Sequence, residues 1–158
     1  MRVDPAMRLD RTWILAHIPH QGRMCLLDEV VEWDAERIRC RSATHRDAEH
    51  PLRSSGRLGI ACGIEYAAQA MALHGALTAI DAGTAATDLP AVGFLAGLRA
   101  VRLHALRLDD IPGDLTCCAV LGAADRTTAL YEFELRAGTV CLLSGRATVV
   151  MDVKRSRP

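Results

Sequence analysis

The stretch from Ile60 to Thr78 constrains the fold most. It is dense in Ala, Leu and Met, the strongest helix formers, and holds almost no polar group except Glu65, Gln69 and His74. A helix that is apolar on nearly every side has to be buried. The rest of the chain reads as strands. Met24 to Trp33 and Arg37 to Thr44 form a half-buried hairpin joined by Asp34-Ala35-Glu36. After a turn-rich linker from Asp81 to Pro90 come Val92 to Leu108, Leu115 to Leu121, Thr127 to Arg136 and Thr139 to Val150, separated by Gly, Pro and Asp clusters. One buried helix followed by consecutive strands predicts an α+β layout in which a curved antiparallel sheet wraps a single long central helix. One helix cannot cover both faces of such a sheet, so its other face is exposed or buried by a second subunit, and pairing two such sheets edge to edge is the common solution.

The chain has 158 residues and a mass of 17.1 kDa, which fits one domain over 1–158 with a core from about residue 12 to about residue 152 and loosely ordered tails. Half of the residues are apolar but only 4% are aromatic, so the core has to be packed from small side chains. Lys+Arg and Asp+Glu both number 19, and the only basic run is the tail Lys154-Arg155-Ser156-Arg157, a balance that excludes a phosphate-binding surface and hence nucleic acid. A membrane span is not expected, because Glu65, Gln69 and His74 interrupt the longest apolar stretch, and the start lacks the apolar core of a secretory signal, which points to the cytoplasm. The six cysteines, Cys25, Cys40, Cys62, Cys117, Cys118 and Cys141, show no C-x-x-C spacing and read as reduced core thiols, with no metal implied.

Glu65 is the most informative side chain, since a carboxylate in the first turns of so apolar a helix must be desolvated or paired. Desolvation would raise its pKa towards neutrality and suit it to general acid–base work, while the helix N-terminus and a structural partner pull the other way. Gln69 lies one turn along on the same face, placed to orient the carboxylate. His20 follows Pro19 in a tight loop and competes as a base with His17, His45, His50, His74 and His104. The loop from His45 to Gly59 is polar and long enough to be functional. Gly56 and Gly63 bracket its passage into the helix, where free backbone N–H groups either bind a substrate oxygen or only cap the helix.

Ile18-Pro19-His20-Gln21-Gly22-Arg23-Met24-Cys25-Leu26-Leu27-Asp28-Glu29-Val30 resembles the N-terminal signature of the hot-dog fold 3-hydroxyacyl-ACP dehydratases. Gly63-Ile64-Glu65-Tyr66-Ala67-Ala68-Gln69 is similar to their active-site helix, and Gly93-Phe94-Leu95-Ala96-Gly97 followed by Ile111-Pro112-Gly113-Asp114 is similar to their Phe-Ala-Gly strand and Pro-Gly-Asp turn. His50-Pro51-Leu52, Gly56-Arg57-Leu58 and Gly63 to Gln69 resemble most the divergent dehydratase subgroup of aryl polyene biosynthesis clusters.

The resemblance implies a dimeric hot-dog fold and water loss from a 3-hydroxyacyl thioester carried by ACP or CoA, in fatty acid or aryl polyene type biosynthesis, without a cofactor. It also implies a site at a dimer interface, the Glu of one protomer meeting the His of the other, and an acyl tunnel beside the helix. Glu65 would handle the hydroxyl, His20 would be the base, the Gly63 amide would hold the carbonyl, and Gln69, Gly56 and Arg57 would line the substrate site. The chain departs from the family in one place: Gly56-Arg57-Leu58-Gly59 stands where the dehydratases carry Gly-His-Phe-Pro-Gly, so Arg57 replaces their usual base. His20 or His50 then takes over, or a partner subunit supplies the base. Two other readings follow from that loss. One is a hot-dog thioesterase with Glu65 as nucleophile or base; the other is a non-catalytic subunit of a heterodimer, docking the acidic carrier through Arg23, Arg53, Arg57 and Arg99.

Overall fold

A computed structural model describes residues 6–89 and 93–151. The basic tail at 154–157 and the predicted strand start at Val92 lie outside the described residues. In chain order the elements are α1 (Arg11–His17), β1 (Glu29–Trp33), β2 (Arg37–Ser42), α2 (Gly63–Asp81), β3 (Gly93–Leu103), β4 (Leu115–Ala124), β5 (Thr128–Ala137) and β6 (Val140–Met151). The six strands form one antiparallel sheet in the order β1-β2-β4-β5-β6-β3, and α2 lies in its curve against β2, β4 and β5. This is the hot-dog arrangement.

Local chemistry sets the turns. Asp34 Oδ1 accepts from the amides of Glu36 and Arg37 at 2.8 and 3.0 Å, closing β1 onto β2. Asp125 does the same between β4 and β5 through Thr127 and Thr128. Strand alternation then divides the sheet: Ile38 and Cys40 of β2, Leu115, Cys117 and Ala119 of β4, and Ala129, Tyr131, Phe133 and Leu135 of β5 point inward onto Tyr66, Ala67, Ala70, Leu73 and Leu77 of α2. All six cysteines are unpaired, three of them buried. No helix among the described residues is long and apolar enough to cross a membrane.

The first predicted strand is shorter than expected. Met24 to Leu27 do not join the sheet ladder at the start, because their backbone is held by a side chain of α2: Leu26 N–H donates to Gln69 Oε1 at 2.8 Å and Gln69 Nε2 donates to the Met24 carbonyl at 2.7 Å. The predicted strand through Leu108 ends at Leu103 for a similar reason. Beyond it the chain pairs with the loop before α2, with Ile60 N–H donating to Leu106 O and Leu108 N–H to Leu58 O. The helix begins three residues later than predicted, since Ile60–Cys62 forms a 3₁₀ turn that runs into it.

β3 is the sheet's edge, and all its residues but Val101 are exposed, including Phe94, Leu95 and Leu98. One row of its backbone N–H and C=O groups has no neighbouring strand among the described residues.

Candidate active site

Three elements bring the site together. Asp10 caps α1 by accepting from Trp13 N–H at 3.1 Å, which fixes the entry of the chain; α1 ends at His17, and Ile18-Pro19 carries it to His20. Glu65 stands in the first turn of α2. Gln69, fully buried one turn on, donates to Glu65 Oε1 at 3.2 Å with the same amide that holds Met24. His20 Nε2 lies 3.0 Å from the same Oε1. Glu65, His20 and Gln69 of a single chain thus meet at one oxygen, where the resemblance implied a Glu and a His from opposite protomers, because the loop after α1 brings His20 onto the first turn of its own α2; Oε2 has no protein partner among the described residues.

This pairing reverses the expected shift of Glu65. Its carboxyl is held below the usual carboxylate range, first by the hydrogen bond from His20, against a rise from burial, with Gln69 adding to the depression. Glu65 is therefore ionised in the neutral range with His20 Nε2 carrying the proton between them. The sign for folding follows: this contact stabilises above the pKa of the unfolded carboxyl and is lost as pH falls through the lowered folded value.

His20 and Glu65 stand at one end of a cavity of about 270 Å³. Ala68, Ala72, Gly75, Ala76 and Ala79 form one wall along α2, Gly93 and Leu95 of β3 another, and Tyr131 and Val149 a third. The small residues recur at helical spacing, a signal present in the sequence but masked by the uniform apolarity of α2. A second hollow of about 330 Å³ on the outer face of the sheet is bordered by Glu132 and Arg146, which pair with each other at 3.4 Å, and contains neither His20 nor Glu65.

Other expected site residues are placed elsewhere. The Gly63 N–H already donates to the Ile60 and Ala61 carbonyls of the 3₁₀ turn, so it does not offer itself to a substrate oxygen. What Gly63 provides is close packing: a methyl group there would lie 2.8 Å from Leu135 Cδ2 and 2.9 Å from Leu143 Cδ2. Gly56 and Arg57 do not line the cavity. They belong to a two-residue hairpin turn in which Ser55 and Gly56 both have positive φ, 52° and 71°, closed by reciprocal Ser54–Arg57 backbone bonds.

His50, the rival base, is buried and committed. It accepts from Leu52 N–H at Nδ1 and reaches the Tyr66 hydroxyl with Nε2 at 3.0 Å, and burial with the Arg53 charge holds its pKa down. The proposed basic rim is also partly neutralised, with Arg23 on Glu49 and Arg53 on Asp109, each at 3.5 Å. Sequence reasoning missed the buried polar pairs His50–Tyr66 and His74–Tyr131 altogether, since neither partner lies near the other in sequence. Among the described residues no three His, Cys, Asp or Glu side chains converge as a metal site requires.

Such an arrangement, an imidazole and a carboxylate sharing a proton at the end of an apolar cavity, is suited to moving protons on an acyl substrate. The solved dehydratase heterocomplex ApeI:P from Xenorhabdus doucetiae contains a chain 24% identical to this one, matching 89% of this chain and 91% of that one with a TM-score of 0.79. A Haemophilus influenzae thioesterase is 14% identical over 82% of each chain, with a TM-score of 0.56. A Staphylococcus aureus thioesterase is 12% identical over 79% of this chain and 93% of its own, with a TM-score of 0.54. These likenesses establish the hot-dog fold. No curated protein sequence matches the chain. The family model described as ApeP-like, ApeP dehydratase, matches residues 13–156, and on that match the chain belongs to the ApeP-like dehydratase family.

Proposed function

We propose that this chain eliminates water from a 3-hydroxyacyl thioester borne by an acyl carrier protein or CoA, in fatty acid or aryl polyene type biosynthesis in the cytoplasm. The observation that carries this reading is the 3.0 Å contact between His20 Nε2 and Glu65 Oε1 at the end of the apolar cavity beside α2. Elimination needs a proton delivered to the β-hydroxyl as it leaves. Among the described residues no protein donor faces Glu65 Oε2, so it is the oxygen available to the substrate, and His20 supplies the carboxylate with its proton through Oε1. The acyl chain lies along Ala68, Ala72 and Gly75, where the absence of large side chains leaves room for it.

The working form pairs β3 with a second hot-dog subunit. Gly93 and Leu95 of this open edge line the cavity, so a neighbour there would complete its wall. β3 carries Arg99 and Arg102 and no carboxylate, and pairing it with itself would bring like charges together, which favours a different chain as partner. The heterocomplex of the Xenorhabdus doucetiae relative supports the same choice.

A thioesterase is the second reading, favoured by the lowered pKa of Glu65, because an ionised carboxylate with a free oxygen can activate water or attack a thioester directly. Incubation with a 3-hydroxyacyl-ACP, followed by mass spectrometry of the carrier, separates the two. Loss of one water from the intact thioester is the expected result. Release of free thiol without an enoyl product would replace dehydration with hydrolysis, and neither product until a second subunit is added would make this chain the non-catalytic partner.

A further inference from the structure

Dehydration also needs an acceptor for the C2 proton, and the Glu65–His20 contact does not present an open one. His20 Nε2 is occupied by Glu65, while Nδ1 is buried without a partner among the described residues. A second imidazole lines the same cavity. His17 ends α1, and its Nδ1 lies 2.7 Å from the Trp13 carbonyl oxygen. A carbonyl can only accept, so Nδ1 carries the proton and the lone pair of the neutral ring is on Nε2. The ring is also fixed in orientation, stacked on Trp13 with centroids 3.8 Å apart and planes 10° apart. Nε2 has no protein partner among the described residues and, unlike His20 Nδ1, is not shut away from solvent.

We propose that His17 is the base that removes the C2 proton, a role that rests on the dehydratase reading and gives it the group that Arg57 does not supply. His17 Nε2 takes the proton from C2, and the C–H electron pair becomes the C2=C3 double bond as the C3–O bond breaks. Protonated His20 passes its Nε2 proton to the ionised Glu65 carboxylate, and Glu65 hands it to the leaving hydroxyl, which departs as water. The enzyme ends with His17 protonated and His20 neutral, and solvent at the open Nε2 returns the proton between them. The two histidines therefore divide the work, one at the acid and one at the base.

The test is made on the protein in its native assembly. His17→Asn keeps an N–H donor for the Trp13 carbonyl and removes the basic nitrogen. It is expected to lower kcat for water loss about a hundredfold, the low end of what a positioned base contributes, with little change in KM. His17→Ala leaves a space, and added imidazole should restore part of its rate. Thermal melting of both variants checks that they remain folded. A kcat for His17→Asn within about threefold of wild type, or a loss in His17→Ala that imidazole leaves untouched, overturns the assignment while the dehydratase reading stands. If wild type releases thiol and forms no enoyl product, the dehydratase reading fails and this assignment with it.

Discussion

Glu65→Gln is expected to lower the rate of water loss by about 10²–10⁴-fold, the span that a positioned acid–base group contributes. The variant keeps the length of the side chain and an oxygen that can still accept from His20 Nε2 and Gln69 Nε2, so the fold and the α2 packing are retained. What it loses is the proton. An amide cannot take one from His20 or pass it to a leaving hydroxyl, and nothing else among the described residues that touches His20 Nε2 can substitute. The measurement is kcat with a 3-hydroxyacyl thioester, read beside a thermal melt. Full activity would remove Glu65 from the chemistry; a large fall in melting temperature would mean that the charge serves folding instead.

The second large effect falls on stability. Gln69→Leu preserves bulk but deletes the bonds to Leu26 N–H, the Met24 carbonyl and Glu65 Oε1. Two backbone groups are then left in the interior without partners. At about 1–3 kcal/mol for each unsatisfied group, the variant should lose about 2–6 kcal/mol in urea unfolding. Its carboxyl at 65 should also titrate higher than in wild type, since one of the two donors that hold it down is gone while burial remains. A loss below about 1 kcal/mol would mean that water or a shifted backbone replaces the glutamine.

Much of this fold was legible in the residues themselves. The helix followed from its density of Ala, Leu and Met and the later strands from the Gly, Pro and Asp clusters that separate them, and the polar residues Glu65 and Gln69 stood out because almost nothing around them was polar. What was not legible depends on contacts between distant segments. Met24 to Leu27 has the composition of a strand, yet its backbone is claimed by Gln69, forty-three residues away at Leu26. Gly63 looked like an oxyanion donor until the preceding 3₁₀ turn took its N–H and the leucines of β5 and β6 closed over its Cα. The direction of the Glu65 shift could not be read either, because burial alone argues for a rise and only the placement of His20 reverses it. His50 matched a family motif by position and is nonetheless spent on Tyr66. His17 carried no signal in one dimension, being one of six histidines; its significance comes from a carbonyl, a stacked indole and a cavity that the fold brings to it.

We propose that Glu65 and His20 act as one proton-handling unit. Single-turnover water loss measured for Glu65→Gln, His20→Gln and the double variant tests it directly. If the two residues share one proton, the double variant should be no slower than the slower single variant, because either change already disables the pair. Rate losses that multiply in the double variant would show two independent contributions and contradict the claim.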